Sequence, residues 1–189
     1  IEHKRDEEAL RISQQQLARE LEDMRLLHQT SAQLIYQDDP QALYEKILDA
    51  AVGLHRAEFA SIQMLYPKRG DNGGLRLLAY RGYTPEGAAA WEWISADHVT
   101  TCGMALRTGK RCTVRDVESC DWLAGTKDVA FYRQSGVRSL QSTPLISRSG
   151  KKLGMISTGW KSVHEPSQRD LRLLDLLARQ AADVIERKL

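Results

Sequence analysis

Apolar residues recur at helical spacing at both ends of this 189-residue chain, and no other feature restricts its fold as much. In Glu7 to Leu34 they fall at Leu10, Leu17, Leu21, Met24 and Leu27, and in Ser167 to Leu189 at Leu171, Leu174, Ala178, Ala181 and Ile185. A seam at three-and-four spacing requires an apolar partner. Leu17, Leu21, Met24, Leu171, Leu174, Ala178, Ala181 and Ile185 are therefore assigned to a homodimer interface through the terminal helices. The first seam weakens at His28 and Ser31, where a register change near Thr30 is expected. The chain does not begin with Met, and it reaches Arg187, Lys188 and Leu189 without a Gly or Pro stop signal, so it reads as a segment of a longer protein.

With 42% hydrophobic and 28% charged residues, the composition fits one well-buried core with helical extensions. A net charge of +2 supplies no overall field for nucleic acid or an anionic membrane. No apolar run approaches the roughly 20 residues of a membrane span, and the acidic, Gln-rich start lacks signal-peptide character. Neither nucleic acid nor membrane contact is expected. Cys102, Cys112 and Cys120 form no CxxC pair and lack the spacing of a zinc site, which is simplest for reduced thiols in a cytoplasm. No P-loop, dinucleotide fingerprint or Gly-x-Ser-x-Gly motif is present, so no catalytic residue is assigned.

Between the seams the periodicity changes. Asp39 can cap and Pro40 can start a helix whose buried face is Leu43, Ile47, Ala50, Ala51 and Leu54. Phe59 to Tyr66 alternates as a strand does, and the turn Pro67 to Gly74 leads into Leu75 to Tyr80, predicting an antiparallel hairpin. Thr84, Pro85 and Glu86 start a short helical segment reaching Ile94. Thr100 or Thr101 can cap another helix, Cys102 to Thr108, which Gly109 closes. Arg111 to Val117 reads as a strand, Asp121 to Ser135 as irregular helix, and Val137 to Ser147 with Lys152 to Lys161 as a hairpin. Consecutive hairpins between helices predict an α+β fold with a mostly antiparallel sheet. The expected division is a signalling helix over residues 1–36 and a domain over 37–189, its last helix spanning 166–189.

The ordered set of segments resembles the GAF family of small-molecule sensory domains across nearly all of Asp39 to Lys188. Leu43 to Phe59 is similar to the family's first helix and the turn into its first strand. Gly103 to Lys110, followed by Val114-Arg115-Asp116-Val117, is similar to its middle, where a short helix, a Thr-Gly turn and a strand ending in Asp-Val recur. Ser139 to Leu145 with Gly154-Met155-Ile156-Ser157 looks like the closing hairpin, and Asp170 to Ala182 like the final helix. The resemblance implies a central antiparallel sheet with helices on one face and a loop-covered pocket on the other. It also implies neighbours in the parent chain, most often a PAS domain before and a histidine kinase or another output after.

The candidate ligand contacts follow from that layout. Trp91, Trp93, Trp122 and Tyr132 fall in the segments expected to cover the sheet and suit a cavity lined by flat side chains with polar tips. Ser139, Gln141 and Thr143 share one face of an alternating strand, where they would orient a ligand or satisfy one another. Cys102 and Cys120 complete the set. Bilin-binding relatives usually carry a Cys-His pair, whereas here Gly103, Thr113 and Asp121 follow the three cysteines. The residue set of cyclic-nucleotide binders does not assemble, and only His98 falls where a haem ligand would be needed. Bilin, haem and cyclic nucleotide are each disfavoured, and the cofactor stays open. The expected function is non-catalytic signal input from a small molecule. The alternatives are a ligand-free scaffold for dimerisation and spacing, or a cysteine-based redox sensor or methionine sulfoxide reductase. Redox chemistry would need a lowered thiol pKa at Cys102 from the helix start and Arg107.

Overall fold

A computed structural model describes residues 2–71 and 73–188. The expectations for Asn72 in the first turn and for Leu189 at the end of the last seam lie outside the described residues. Among those described, six α-helices and six strands occur: α1 Glu2–Tyr36, α2 Pro40–His55, β1 Phe59–Tyr66, β2 Gly74–Arg81, α3 Pro85–Ala90, β3 Trp93–Ser95, α4 Thr101–Thr108, β4 Cys112–Val114, α5 Lys127–Ser135, β5 Ser139–Ile146, β6 Lys152–Trp160 and α6 Gln168–Lys188, with a single 3-10 turn at Val117–Ser119. The strands form one antiparallel sheet in the order β3-β2-β1-β6-β5-β4. This is the expected α+β fold.

The helix ends follow their capping chemistry. Asp39 accepts hydrogen bonds from the Gln41 and Ala42 N–H groups, with Pro40 in the first turn. Thr84, Thr100 and Thr126 do the same for α3, α4 and α5, and Gly109 and Gly136 end α4 and α5 in the left-handed conformation. The segment expected to be helical to Ile94 instead divides. After Trp91 the chain turns extended and β3 pairs with β2, as aromatic and β-branched Trp93 and Ile94 favour.

One face of the sheet is covered by α1, α2 and α6, which bury Leu27, Leu34, Ile47, Leu54, Leu174, Leu177, Ala181 and Ile185 against Ile62 and Ile156. This corrects the assignment of the last seam. Leu174, Ala178, Ala181 and Ile185 are at most 3% exposed within a single chain, and Leu171 is half-buried, so their apolar partner is the chain's own sheet, α1 and α2. The first seam behaves differently. α1 runs unbroken through Thr30, and Leu10, Leu17, Leu21 and Met24 remain 52–67% exposed.

Asp23 marks where α1 joins the core. Its carboxylate, 2% exposed, lies 2.8 Å from the Arg169 guanidinium at the start of α6 and 3.5 Å from that of Arg56. Arg56 closes α2 in the left-handed conformation at φ 48°, the only non-glycine with positive φ among the described residues. The ion pairs thus tie α1 to the C-terminus of α2 and the N-terminus of α6.

Candidate functional site

Strand alternation turns Ser61, Gln63, Leu140 and Ser157 to the sheet face opposite α1, α2 and α6. They floor a cavity of about 30 Å³. Its other walls are Leu77, Tyr83, Ala88 of α3, Trp91, Ile94, Thr101 and Cys102 of α4, and Tyr132 of α5. The β1–β2 register slips beside Gln63: Ile62 stands opposite Ala79 but Gln63 opposite Leu77, leaving Leu78 as an extra residue on β2. Such bulges re-aim side chains next to sites.

Trp91 is the aromatic centre of the wall. Its ring meets Tyr83 edge-on at 5.4 Å and Phe131 at 5.9 Å, and is tilted against Tyr132 at 5.3 Å. Burial holds both tyrosine hydroxyls neutral far above their ordinary range. The floor's small polar groups satisfy one another: Ser142 Oγ lies 2.7 Å from Thr101 Oγ1 and 2.8 Å from Ser157 Oγ, and Cys102 Sγ lies 3.3 and 3.2 Å from the two serines.

Two wall atoms are left over. Gln63 Oε1 and Trp91 Nε1 are buried and have no hydrogen-bond partner among the described residues. A third such atom, Asp23 Oδ2, is already in its ion pair with Arg169. An unsatisfied buried donor or acceptor costs about 1–3 kcal/mol, and both atoms belong to side chains of the cavity wall.

The thiols of Cys102 and Cys112 are not activated. Burial raises the pKa of Cys102, outweighing the hydroxyls of Ser142 and Ser157, while Arg107 donates to the Ala96 carbonyl at 2.9 Å. Burial also pushes Cys112 up to about 11. Treatment of folded protein with iodoacetamide near neutral pH is expected to leave Cys102 and Cys112 unmodified until denaturant is added. Peptide mass mapping checks this, and rapid alkylation of Cys102 in the folded state would restore a redox reading.

The other expected contacts disperse. Trp93 stands on the sheet edge against Tyr66 at 5.3 Å, with the Arg69 guanidinium 3.5 Å above its ring. Cys120 and Trp122 pack against the apolar cluster behind the cavity without lining it. Ser139, Gln141 and Thr143 lie on the helix-covered face, because Leu140 and Ser142 take the alternate positions beside the cavity. Ser139 donates to the Ser162 carbonyl. Gln141 and Thr143 belong to a buried chain of hydrogen bonds whose directions can be assigned from the donors. Arg111 Nε donates to Thr143 Oγ1, and Thr143 to Gln141 Oε1. Gln141 Nε2 donates to Thr158 Oγ1. Thr158 Oγ1 therefore donates to His55 Nδ1, and His55 Nε2 to the Asp170 carbonyl. That tautomer is neutral, as burial requires by lowering the His55 pKa. Arg111 also pairs with Asp175 of α6. On β6, Ser157 in the cavity floor adjoins Thr158 in this chain, so the two polar systems meet back to back across the sheet.

The loop behind the cavity is pinned by Asp116, which accepts from Arg138 Nε at 2.6 Å and Nη2 at 2.9 Å. Arg138 holds the Asp116 carboxyl down at about 2. A depressed carboxyl stabilises above its unfolded value of ~3.9, and that contribution is lost as pH falls through about 2. The melting-temperature gap between wild type and Asp116→Asn is expected to be constant above about pH 5 and to close between about pH 4 and 2. A gap unchanged at pH 2 would show the pair to be irrelevant.

Gln63, Tyr83 and Ser157 were not expected in the site, and Thr101 was expected only as a possible helix cap. The available signal was parity: Phe59, Ser61 and Gln63 share one side of β1, and a long amide on a buried parity is unusual unless it has a partner. Among the described residues no cluster of His, Cys, Asp and Glu suits a metal, and no helix is long and apolar enough to cross a membrane.

The sequence profile of the GAF domain family matches residues 37–186, beginning directly after α1. No curated protein matches the chain by sequence. Among solved structures, the chain is similar to a domain of a protein assigned as a two-component sensor histidine kinase from Sinorhizobium meliloti 1021, at 20% identity and TM-score 0.64, covering 80% of this chain and 94% of that one. It is similar to the GAF domain of a phosphoenolpyruvate-protein phosphotransferase from Coxiella burnetii, at 12% identity and TM-score 0.72, covering 87% and 93%. It also resembles a free methionine-R-sulfoxide reductase from Neisseria meningitidis, solved with its substrate, at 17% identity and TM-score 0.65, covering 88% and 89%. At these identities the likeness is one of fold.

Proposed function

This chain belongs to the GAF domain family, and from that premise we propose that it is a non-catalytic sensory module of a cytoplasmic signalling protein. A small molecule enters the cavity under α3 and α4, and its presence is passed to an output such as a histidine kinase in the parent chain. The observation that carries this reading is the pair of unsatisfied atoms, Gln63 Oε1 and Trp91 Nε1, in the cavity wall. A scaffold that only spaces its neighbours gains nothing from leaving them unpaired. The raised thiol pKa values of Cys102 and Cys112 weigh against sulfoxide reduction through either, which would need a reactive thiolate.

The relay runs through the sheet. Occupancy repositions Ser142 and Ser157, the adjacent Gln141, Thr143 and Thr158 carry the shift across, and Arg111 and His55 deliver it to α6. The exposed residues Leu10, Leu17, Leu21 and Met24 of α1 form the homodimer seam, and a change in its packing is the output. A coupling of about 1–3 kcal/mol is sufficient. Native mass spectrometry of protein purified from its own host tests the reading. A retained small molecule, released on unfolding, is expected, and bare protein with no stabilisation by host metabolites would leave the scaffold role.

A further inference from the structure

We propose that the ligand of this cavity is a small uncharged molecule with a hydrogen-bonding group, as an amide has, in place of a carboxylate, phosphate or ammonium compound. This rests on the sensory reading of the cavity and gives it a chemical class. Two wall side chains carry polar atoms without a partner among the described residues. The indole N–H of Trp91 can only donate, and the carboxamide of Gln63 can present its acceptor or its donor by a half-turn. A neutral polar group can meet both without bringing a charge into the cavity.

The rest of the wall agrees. None of its side chains is charged, and Thr101 and Ser157 are already engaged with Ser142. An ion here would lose its hydration with no countercharge, a cost of several kcal/mol. The faces of Tyr83, Trp91 and Tyr132 attract cations weakly by comparison. Size narrows the class further. A cavity of about 30 Å³ is large enough to hold water but not a molecule of several heavy atoms. A ligand of a few heavy atoms requires Ala88 and Trp91 to shift, and α3, a six-residue helix capped by Thr84, is the short segment that carries them.

Acetate, acetamide and acetamidinium share one shape and differ in charge, so they separate the possibilities. Each is titrated into the whole protein while the Trp91 indole N–H resonance, assigned from through-bond spectra, is followed by NMR. A saturable shift with acetamide, and at least about tenfold weaker response to both ions, is expected. Trp91→Phe should weaken acetamide binding about five- to tenfold. Acetate or acetamidinium binding as well as acetamide overturns the uncharged class and leaves the sensory reading standing. If none of the three binds, the molecule retained from the host decides: an uncharged one supports the class, and an ionised one overturns it. Silence from all three probes together with bare host-purified protein removes both readings.

Discussion

Leu174→Asp is expected to abolish folding, whereas Leu21→Asp should leave the fold intact and reduce self-association. Both leucines belong to apolar helical seams, and the sequence alone treats them alike. In the folded chain Leu174 is 0% exposed among Ile47, Leu54, Ile156 and Leu177, and Leu21 is 52% exposed. Removing a buried Leu forfeits about 1.5–3 kcal/mol of transfer energy, and burying an unpaired carboxylate in its place adds several more. Against a typical total of about 5–15 kcal/mol, that leaves little or no folded protein. Leu21 loses no core contact, so circular dichroism and melting should be nearly unchanged while sedimentation reports a smaller species. A folded Leu174→Asp protein that merely dissociates would return α6 to the interchain seam.

Gly154→Ala is expected to cost about 3 kcal/mol or more. A Cβ at Gly154 would stand 1.9 Å from the Gln63 carbonyl oxygen, 3.0 Å from its carbon and 3.2 Å from Met64 Cα. These are backbone atoms of β1, and no rotamer change can clear them. The central β1–β6 pair would have to part at the residue that supplies one of the cavity's unsatisfied atoms, so ligand affinity should fall with stability. Gly125→Ala is the control, since its φ is +74° but no atom lies within 4 Å of the added Cβ. Its cost should stay near the ~1 kcal/mol of left-handed strain. Chemical denaturation of the two variants separates steric from conformational glycine, and a Gly154→Ala protein as stable as Gly125→Ala would contradict the packing described.

Local chemistry was legible wherever one residue type has one job. Asp39 with Pro40, Thr84 with Pro85, Thr100, and Gly109 each lie where their capping chemistry puts them, and β1 and the closing hairpin span nearly the residues expected of them. Trp91, Cys102 and Tyr132, taken from the covering segments, line the cavity. What was not legible was direction. Alternation places Gln141 and Thr143 together but does not say which face of the sheet they share, and that depends on where α2 and α6 dock. The heptad-like spacing of α6 likewise suits a sheet as well as a partner helix. Trp93 was drawn outward by pairing between β3 and β2, a contact distant in sequence. Gln63 escaped notice because its significance lies in lacking a partner, and only the assembled walls reveal that.

The central claim is that occupancy on one face of the sheet is felt by the helices on the other. Hydrogen exchange on protein purified from its host, compared with the same protein stripped by unfolding and refolding, tests it most directly. Altered protection is predicted in α3 around Ala88 and Trp91, and also in α6 around Asp170 to Asp175 and in α1 near Asp23. A change confined to α3 and α4, with α6 and α1 exchanging identically in both samples, would contradict it.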